Sequence, residues 1–121
     1  MNAKTTKYHG DVILDLQDTN DREEYVAKAT GATHIGDEWV IPFEGHDNDL
    51  NKSYIGDMHL HVSGNTVKGS GRFRFDRDRP IEATIDGKIT RKNKSTMTCE
   101  GIWREPGEGT SYSMKIELVS M

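Results

Sequence analysis

The chain has 121 residues, of which 33% are hydrophobic and 30% are charged, and its formal net charge at pH 7 is −4. This length predicts a single domain over residues 1–121, and the mean hydropathy of −0.77 favours a sheet with one wet face or a small closed interior. The acidic balance argues against a general nucleic-acid-binding protein, and the single cysteine, Cys99, excludes an internal disulfide.

The N-terminal part, residues 1–53, predicts a strand and then a helix. No stretch approaches transmembrane length, and the polar leader favours a cytoplasmic protein that does not contact a membrane. Apolar residues alternate with polar ones in residues 12–16, which predicts a short strand. Residues 18–31 are the one helical candidate, because Asn20 can cap a helix and Gly31 can end it.

Residues 39–43 predict the next strand, since their apolar side chains alternate along one face. Pro42 has no backbone N–H to donate to a ladder, so it indicates a sheet edge or a bulge. Residues 44–53 follow as an acidic loop. An unpaired edge at this strand leaves open a homodimer formed by edge pairing.

Residues 54–121 carry the clearest pattern, which is a five-stranded antiparallel meander. In residues 58–62, for example, Met58, Leu60 and Val62 share one face of an extended strand. Four further runs with the same period span residues 67–75, 81–89, 97–104 and 112–118. Their short connections require antiparallel neighbours, because a parallel return needs a crossover of about a dozen residues or more.

The predicted fold class is therefore all-β with one short α-helix, in which the meander forms a small up-and-down barrel or a strongly curled sheet. In outline it resembles the calycin group, the lipocalin and avidin type of barrel. Gly101-Ile102-Trp103 has the local form of the Gly-x-Trp that lipocalins carry on their first strand, although here it lies on the penultimate strand. The resemblance covers the meander and implies a barrel, and it implies no particular function.

Four glycines lie at inward positions of the meander: Gly69, Gly71, Gly87 and Gly101. Their presence allows two interpretations. A glycine inside a strand permits a bend or a close approach of another group. They predict strong curvature of the sheet, or room for a ligand inside it.

Five aromatic side chains with inward phase are the candidate ligand-binding residues: Trp39, Phe73, Phe75, Trp103 and Tyr112. They either fill the core or line an apolar pocket on the concave side. The leading functional hypothesis is a non-enzymatic domain that holds a small apolar molecule there.

His59 and His61 are the candidate metal ligands. Two histidines separated by one residue on a strand point the same way, so both imidazoles could reach one zinc ion. His46, Asp47 and Asp49 precede them and could complete the site. The alternative is a pair of imidazoles that face solvent.

Two other functional hypotheses remain open. The acidic residues 44–49 and the charged residues 76–79 could bind a protein partner, as in an inhibitor, an immunity protein or an accessory subunit. A metal-dependent or cofactor-free barrel enzyme is the other alternative, although no catalytic motif specifies a reaction. A core position is the expectation for Cys99.

Overall fold

The computed structural model describes residues 6–16 and 24–121, and these residues form a closed barrel of eight antiparallel strands. The strands are β1 Thr6–Leu16, β2 Glu24–Ile35, β3 Glu38–Asp47, β4 Lys52–Ser63, β5 Thr66–Phe75, β6 Ile81–Lys92, β7 Thr96–Glu105 and β8 Thr110–Ser120. Each strand pairs with the next one in sequence, and β1 closes the barrel against β8. The predicted all-β, up-and-down barrel is confirmed.

The five predicted strands of the meander are β4 to β8, and their inward phase is as predicted. The core positions with at most 2% of their surface exposed include Met58, Leu60, Val67, Ile85, Met97, Cys99, Trp103, Met114, Ile116 and Leu118. The alternation was readable because each of these strands has one face in the barrel interior and one face in water.

The predicted helix over residues 18–31 is wrong where the structure describes it. Residues 24–31 belong to strand β2, and residues 18–23 lie outside the described part of the chain. Gly31 does not end a helix. It has a φ of 72° and occupies a β-bulge, where the register of β2 against β1 shifts by one residue.

Small inward residues explain why the period of β2 was missed. The buried residues Ala27 and Ala29 carry its inward face, whereas the larger Val26 points outward and is 47% exposed. Val26 and Ala29, together with Tyr25, therefore imitated the apolar stripe of a helix. Pairing with β1 along Glu24 to His34 overrides this weak local signal.

Strand β3 is not an edge, because it pairs with β2 on one side and with β4 on the other. The bulge that Pro42 predicted is present: three residues of β2 lie opposite Ile41 and Pro42 of β3. The homodimer prediction loses its physical basis at this strand, since a closed barrel removes the edge.

The predicted acidic loop, residues 44–53, is largely strand. β3 continues to Asp47 and β4 begins at Lys52, so the turn spans only residues 48–51. The register continues from Glu44 opposite Ile55 to Asp47 opposite Lys52. The loop was overestimated because its polar residues still alternate between the two faces of a strand.

The two ends of the barrel differ. We call the end that carries the connections β3–β4, β5–β6 and β7–β8 the mouth, and the opposite end the base. At the base Trp39 is 1% exposed, with its ring 5.0 Å from that of Tyr8 and stacked 4.2 Å from that of His34. Aromatic side chains therefore fill the base.

The space beside the inward glycines of the meander is filled by other atoms of the protein. A Cβ added to Gly71 would lie 2.4 Å from the ring of Trp103, and one added to Gly101 would lie 2.5 Å from the Cα of Gly87. A Cβ added to Gly69 would likewise collide with the backbone carbonyl oxygen of His59. Of the two interpretations, these positions support close approach within a curved sheet, and they leave no room for a ligand.

Candidate functional site

A cavity of about 230 Å³ lies inside the barrel at the mouth. Its lining is mainly apolar and aromatic, with a few polar groups, and comprises Val12, Leu14, Tyr25, Ala27, Phe43, Asp47, Leu50, Tyr54, Phe73, Phe75, Ile81, Glu105, Glu108, Thr110 and Tyr112. An apolar cavity with a small number of convergent polar groups is the usual form of a small-molecule site.

At two boundaries around this cavity, β2–β3 and β6–β7, the described residues of neighbouring strands are not paired near the mouth. We call these two boundaries the seams. Among the described residues, the pairing of β2 with β3 starts at Lys28 opposite Glu44, and that of β6 with β7 starts at Thr84 opposite Arg104. Nearer the mouth, β7, β8, β1 and β2 form one half of the wall, and β3 to β6 form the other. The cavity lies between these halves, so its walls are less tightly coupled than the base.

Three of the five predicted ligand-binding aromatics line the cavity, namely Phe73, Phe75 and Tyr112. Trp103 lies behind this lining, fully buried, with its ring 6.2 Å from those of both Phe73 and Phe43. Trp39 is at the base and does not contribute to the cavity. The structure therefore divides the predicted set into three lining residues, one supporting residue and one core residue.

Glu105 is the first of two carboxylates in this apolar site. It is 4% exposed, and its Oε2 accepts a 2.8 Å hydrogen bond from the indole N–H of Trp103. Burial raises the pKa of Glu105 above its ordinary value, the hydrogen bond from Trp103 opposes this rise, and the charge of Glu108 adds to it. Trp103 therefore holds one oxygen of a carboxylate whose burial is costly.

Asp47 is the second carboxylate, and it is 6% exposed. Its Oδ1 accepts hydrogen bonds from the backbone N–H groups of Asp49 and Leu50, at 2.9 and 3.1 Å, which fixes the β3–β4 turn. Beside it lies Tyr54, whose ring covers Gly45: a Cβ added to that glycine would lie 2.3 Å from the tyrosine hydroxyl. Burial, and secondly the charge of Asp47, raise the pKa of Tyr54.

The alternation of the sequence contains a signal for these polar residues. Asp47 continues the inward phase of β3, Glu105 that of β7, and Tyr54 that of β4. Asp47 was predicted to lie in the acidic loop over residues 44–53, and Glu105 follows the predicted strand over residues 97–104 and precedes a turn. Counting onward from Phe43 in steps of two residues, through Gly45, places Asp47 on the inward face of β3.

The structure places His59 and His61 on the outer face of β4, with side chains 58% and 55% exposed. The Nδ1 of His61 lies 2.6 Å from Oε1 of Glu38, and this hydrogen bond raises the pKa of His61. His59 lies 3.7 Å from Asp57. Each imidazole thus has a carboxylate neighbour of its own on the surface.

The predicted additional metal ligands lie elsewhere. His46 is opposite Ser53, six residues along β4 from His59, which is roughly 20 Å. Its imidazole contacts Ser53 and Asn51. In residues 6–16 and 24–121, no group of three or more histidine, cysteine or acidic side chains is arranged to hold a metal ion.

A larger depression, of about 940 Å³, lies on the outer surface between β5, β6 and the β7–β8 turn. It includes charged residues of both signs, such as Arg72, Arg79 and Glu82, and it is open to solvent. The mouth cavity is smaller, but it encloses more of any molecule that enters it, so it is the stronger candidate for a binding site.

The predicted protein-binding surface is also altered by the fold. Asp47 is buried in the mouth and caps a turn, so it cannot contact a partner. Glu44 and Asp49 are exposed, as are residues 76–79. An acidic interface therefore remains a prediction that involves fewer charges than the sequence indicated.

Comparisons of the chain with protein-family models, with curated proteins and with solved structures find no match. Within the described part of the chain, no helix is long and apolar enough to cross a membrane. The geometry of the mouth cavity therefore carries the functional inference.

Proposed function

We propose that this protein is a small-ligand-binding barrel, and that the ligand occupies the mouth cavity with an apolar body. The observation that carries this proposal is the partly enclosed space of about 230 Å³ between aromatic side chains. The base is packed with large side chains, whereas the mouth, in a barrel of the same strands, retains this space. Such a difference is what a binding barrel requires.

The size of the cavity limits the ligand. A dry apolar cavity of about 150 Å³ is enough to bind benzene, and pockets for drug-sized molecules begin at about 300 Å³. A volume of about 230 Å³ therefore fits one aromatic ring with a short substituent, or an aliphatic molecule of similar size. Phe73, Phe75 and Tyr112 can contact such a ring by edge-to-face packing.

Two substitutions on neighbouring residues of β2 test this proposal. Ala27→Phe places a ring in the cavity, because Ala27 is buried and lines it. Val26→Phe is the matched control: it adds a ring to the next residue of the same strand, on the outer face. We expect 2-phenylethanol, a neutral probe of suitable size, to bind the wild type and Val26→Phe with similar affinity and to lose affinity at least tenfold for Ala27→Phe.

The measurement is a titration followed by backbone amide NMR, which reports both folding and the location of the probe. Shifts should concentrate at the mouth, on residues such as Tyr54 and Phe75, and be absent at the base. Ala27→Leu serves as a milder variant if the larger ring disturbs the fold. Unchanged affinity in a folded Ala27→Phe protein, or probe-induced shifts confined to the base, would disprove the proposal.

A further inference from the structure

Among the described residues, the charged side chains that line the mouth cavity all have the same sign. Three of these residues are acidic, Asp47, Glu105 and Glu108, and no described lysine, arginine or histidine lines the cavity. An anionic ligand such as a carboxylic acid would meet like charges in a poorly solvated space, which is strongly unfavourable. A cation would meet opposite charges.

The described side chains that line the cavity also offer more hydrogen-bond acceptors than donors. Each buried carboxylate uses one oxygen: Oδ1 of Asp47 accepts from the β3–β4 turn, and Oε2 of Glu105 accepts from Trp103. Within the described residues, the second oxygen of each accepts no hydrogen bond. An ionised carboxylate can only accept hydrogen bonds, so a ligand group that bonds to either of these oxygens must be a donor.

The hydroxyl of Tyr54 is an independent indication of a polar ligand group. Tyr54 is 6% exposed and lines the cavity, and among the described residues its hydroxyl forms no hydrogen bond. Among the described residues, the one buried side-chain polar atom without a partner is Oγ1 of Thr96, so the Tyr54 hydroxyl is open to the cavity, where it can bond to a ligand group. It lies next to Asp47, whose charge acts on it.

We propose that the ligand is a small amine whose ammonium group is attracted into the mouth cavity by the buried carboxylates of its lining, Asp47 and Glu105, while its apolar body contacts the aromatic side chains. This inference rests on the proposed function and specifies the class of its ligand. An ammonium group offers three hydrogen-bond donors in a compact volume, which suits a lining whose carboxylates and Tyr54 hydroxyl can accept hydrogen bonds. The faces of Phe73 and Phe75 favour a cation further.

The pairing of charges also explains how two acids remain in an apolar site. A buried carboxylate is costly, and for Glu105 the hydrogen bond from Trp103 offsets only part of that cost, since burial still raises its pKa. A bound ammonium group supplies the remaining compensation. A neutral ligand fills the same space but supplies no positive charge to the carboxylates.

Three probes of the same shape test the charge of the ligand: 2-phenylethylamine, 2-phenylethanol and phenylacetate. We expect the amine to bind the wild-type protein at least tenfold more tightly than the alcohol, because a charge-assisted hydrogen bond is about twice as strong as a neutral one. Phenylacetate should bind more weakly than either. Calorimetric titration at low ionic strength and at 0.15 M salt gives the three dissociation constants.

Two isosteric variants locate the cation. Glu105→Gln keeps the acceptor for Trp103, and Asp47→Asn keeps the oxygen that caps the turn, so each removes a charge with little change of shape. Each should weaken 2-phenylethylamine at least tenfold and leave 2-phenylethanol within about threefold of its wild-type affinity. Glu44→Gln, on the outer face of β3, is the control and should leave both affinities unchanged.

The outcomes separate this inference from the proposed function. If none of the three probes binds, the mouth cavity is not a binding site and both proposals are wrong. If the alcohol or the acid binds as tightly as the amine, the barrel binds small ligands but the preference for a cation is wrong. A loss of amine and alcohol affinity in equal proportion in Glu105→Gln and Asp47→Asn would also overturn it, since it would show a structural effect rather than a charge effect.

Discussion

Replacing Trp103 with phenylalanine removes the one hydrogen-bond donor that the described residues offer to the side chain of Glu105. The indole N–H lies 2.8 Å from Oε2 of Glu105, and both residues are almost fully buried. Phenylalanine retains an aromatic ring against Gly71 and Phe73 but leaves the carboxylate without this donor. We expect Trp103→Phe to destabilise the protein by an amount that depends on pH.

The magnitude follows from the charge of the acceptor. A hydrogen bond to an ionised group contributes about 1.5–3 kcal/mol, and one between neutral groups contributes about 0.5–1.5 kcal/mol. The penalty of Trp103→Phe should therefore be about 1 kcal/mol larger when Glu105 is ionised than when it is protonated. The loss of indole volume adds a packing penalty, but that part is the same at every pH.

The direction of the pH dependence follows from the raised pKa of Glu105. The folded protein holds the Glu105 proton more tightly than the unfolded chain does, so protonation of Glu105 stabilises the folded state. This stabilisation is fully present below the ordinary pKa of 4.5 and is lost as the pH rises through the folded-state pKa. Removal of the indole donor raises the folded-state pKa of Glu105 further. The penalty of Trp103→Phe is thus smallest at pH 4 and largest at pH 8.

Urea unfolding at pH 4 and pH 8, followed by circular dichroism, measures this difference. Trp39 remains as a fluorescent reporter at the base and gives a second probe of the same transition. In a Glu105→Gln background the same substitution should cost equal free energy at both pH values. A pH-independent penalty in the wild-type background, or a pH-dependent one in the Glu105→Gln background, would refute the reasoning.

Two further predictions concern the packed part of the barrel. Gly71→Ala places a Cβ 2.4 Å from a buried indole ring and should cost about 1–3 kcal/mol, whereas Gly107→Ala, which meets open space, should change stability by less than about 0.5 kcal/mol. Thermal unfolding of both variants checks this contrast, and equal losses would contradict the packing seen at Gly71. Cys99 is fully buried, and burial raises the pKa of its thiol to about 11, so a thiol reagent at pH 8 should modify it only after unfolding. Stoichiometric labelling of the native protein within minutes would show that β7 is not packed as described.

The candidate site was only partly predictable. Phe73, Phe75 and Tyr112 were expected from their inward phase, and they line the cavity. Trp103 and Trp39 have the same phase but different surroundings, because depth along the barrel axis decides which inward side chain meets a void. Alternation along a strand contains no information about depth. It specifies which face of the strand a residue lies on. The distance of that residue from the mouth must also be known before it can be assigned to the cavity.

By itself the sequence determined the meander and its antiparallel order, because alternation and short turns are local properties of each strand and its connection. Only the tertiary structure decided that residues 24–31 form a strand, since their small side chains give a weak local signal and pairing with β1 supplies what is missing. The mouth cavity was decided in the same way. Asp47 and Glu105 both line this cavity because the barrel closes and the pairing of β2 with β3 and of β6 with β7 stops short of the mouth. Both features depend on contacts between residues that are distant in sequence.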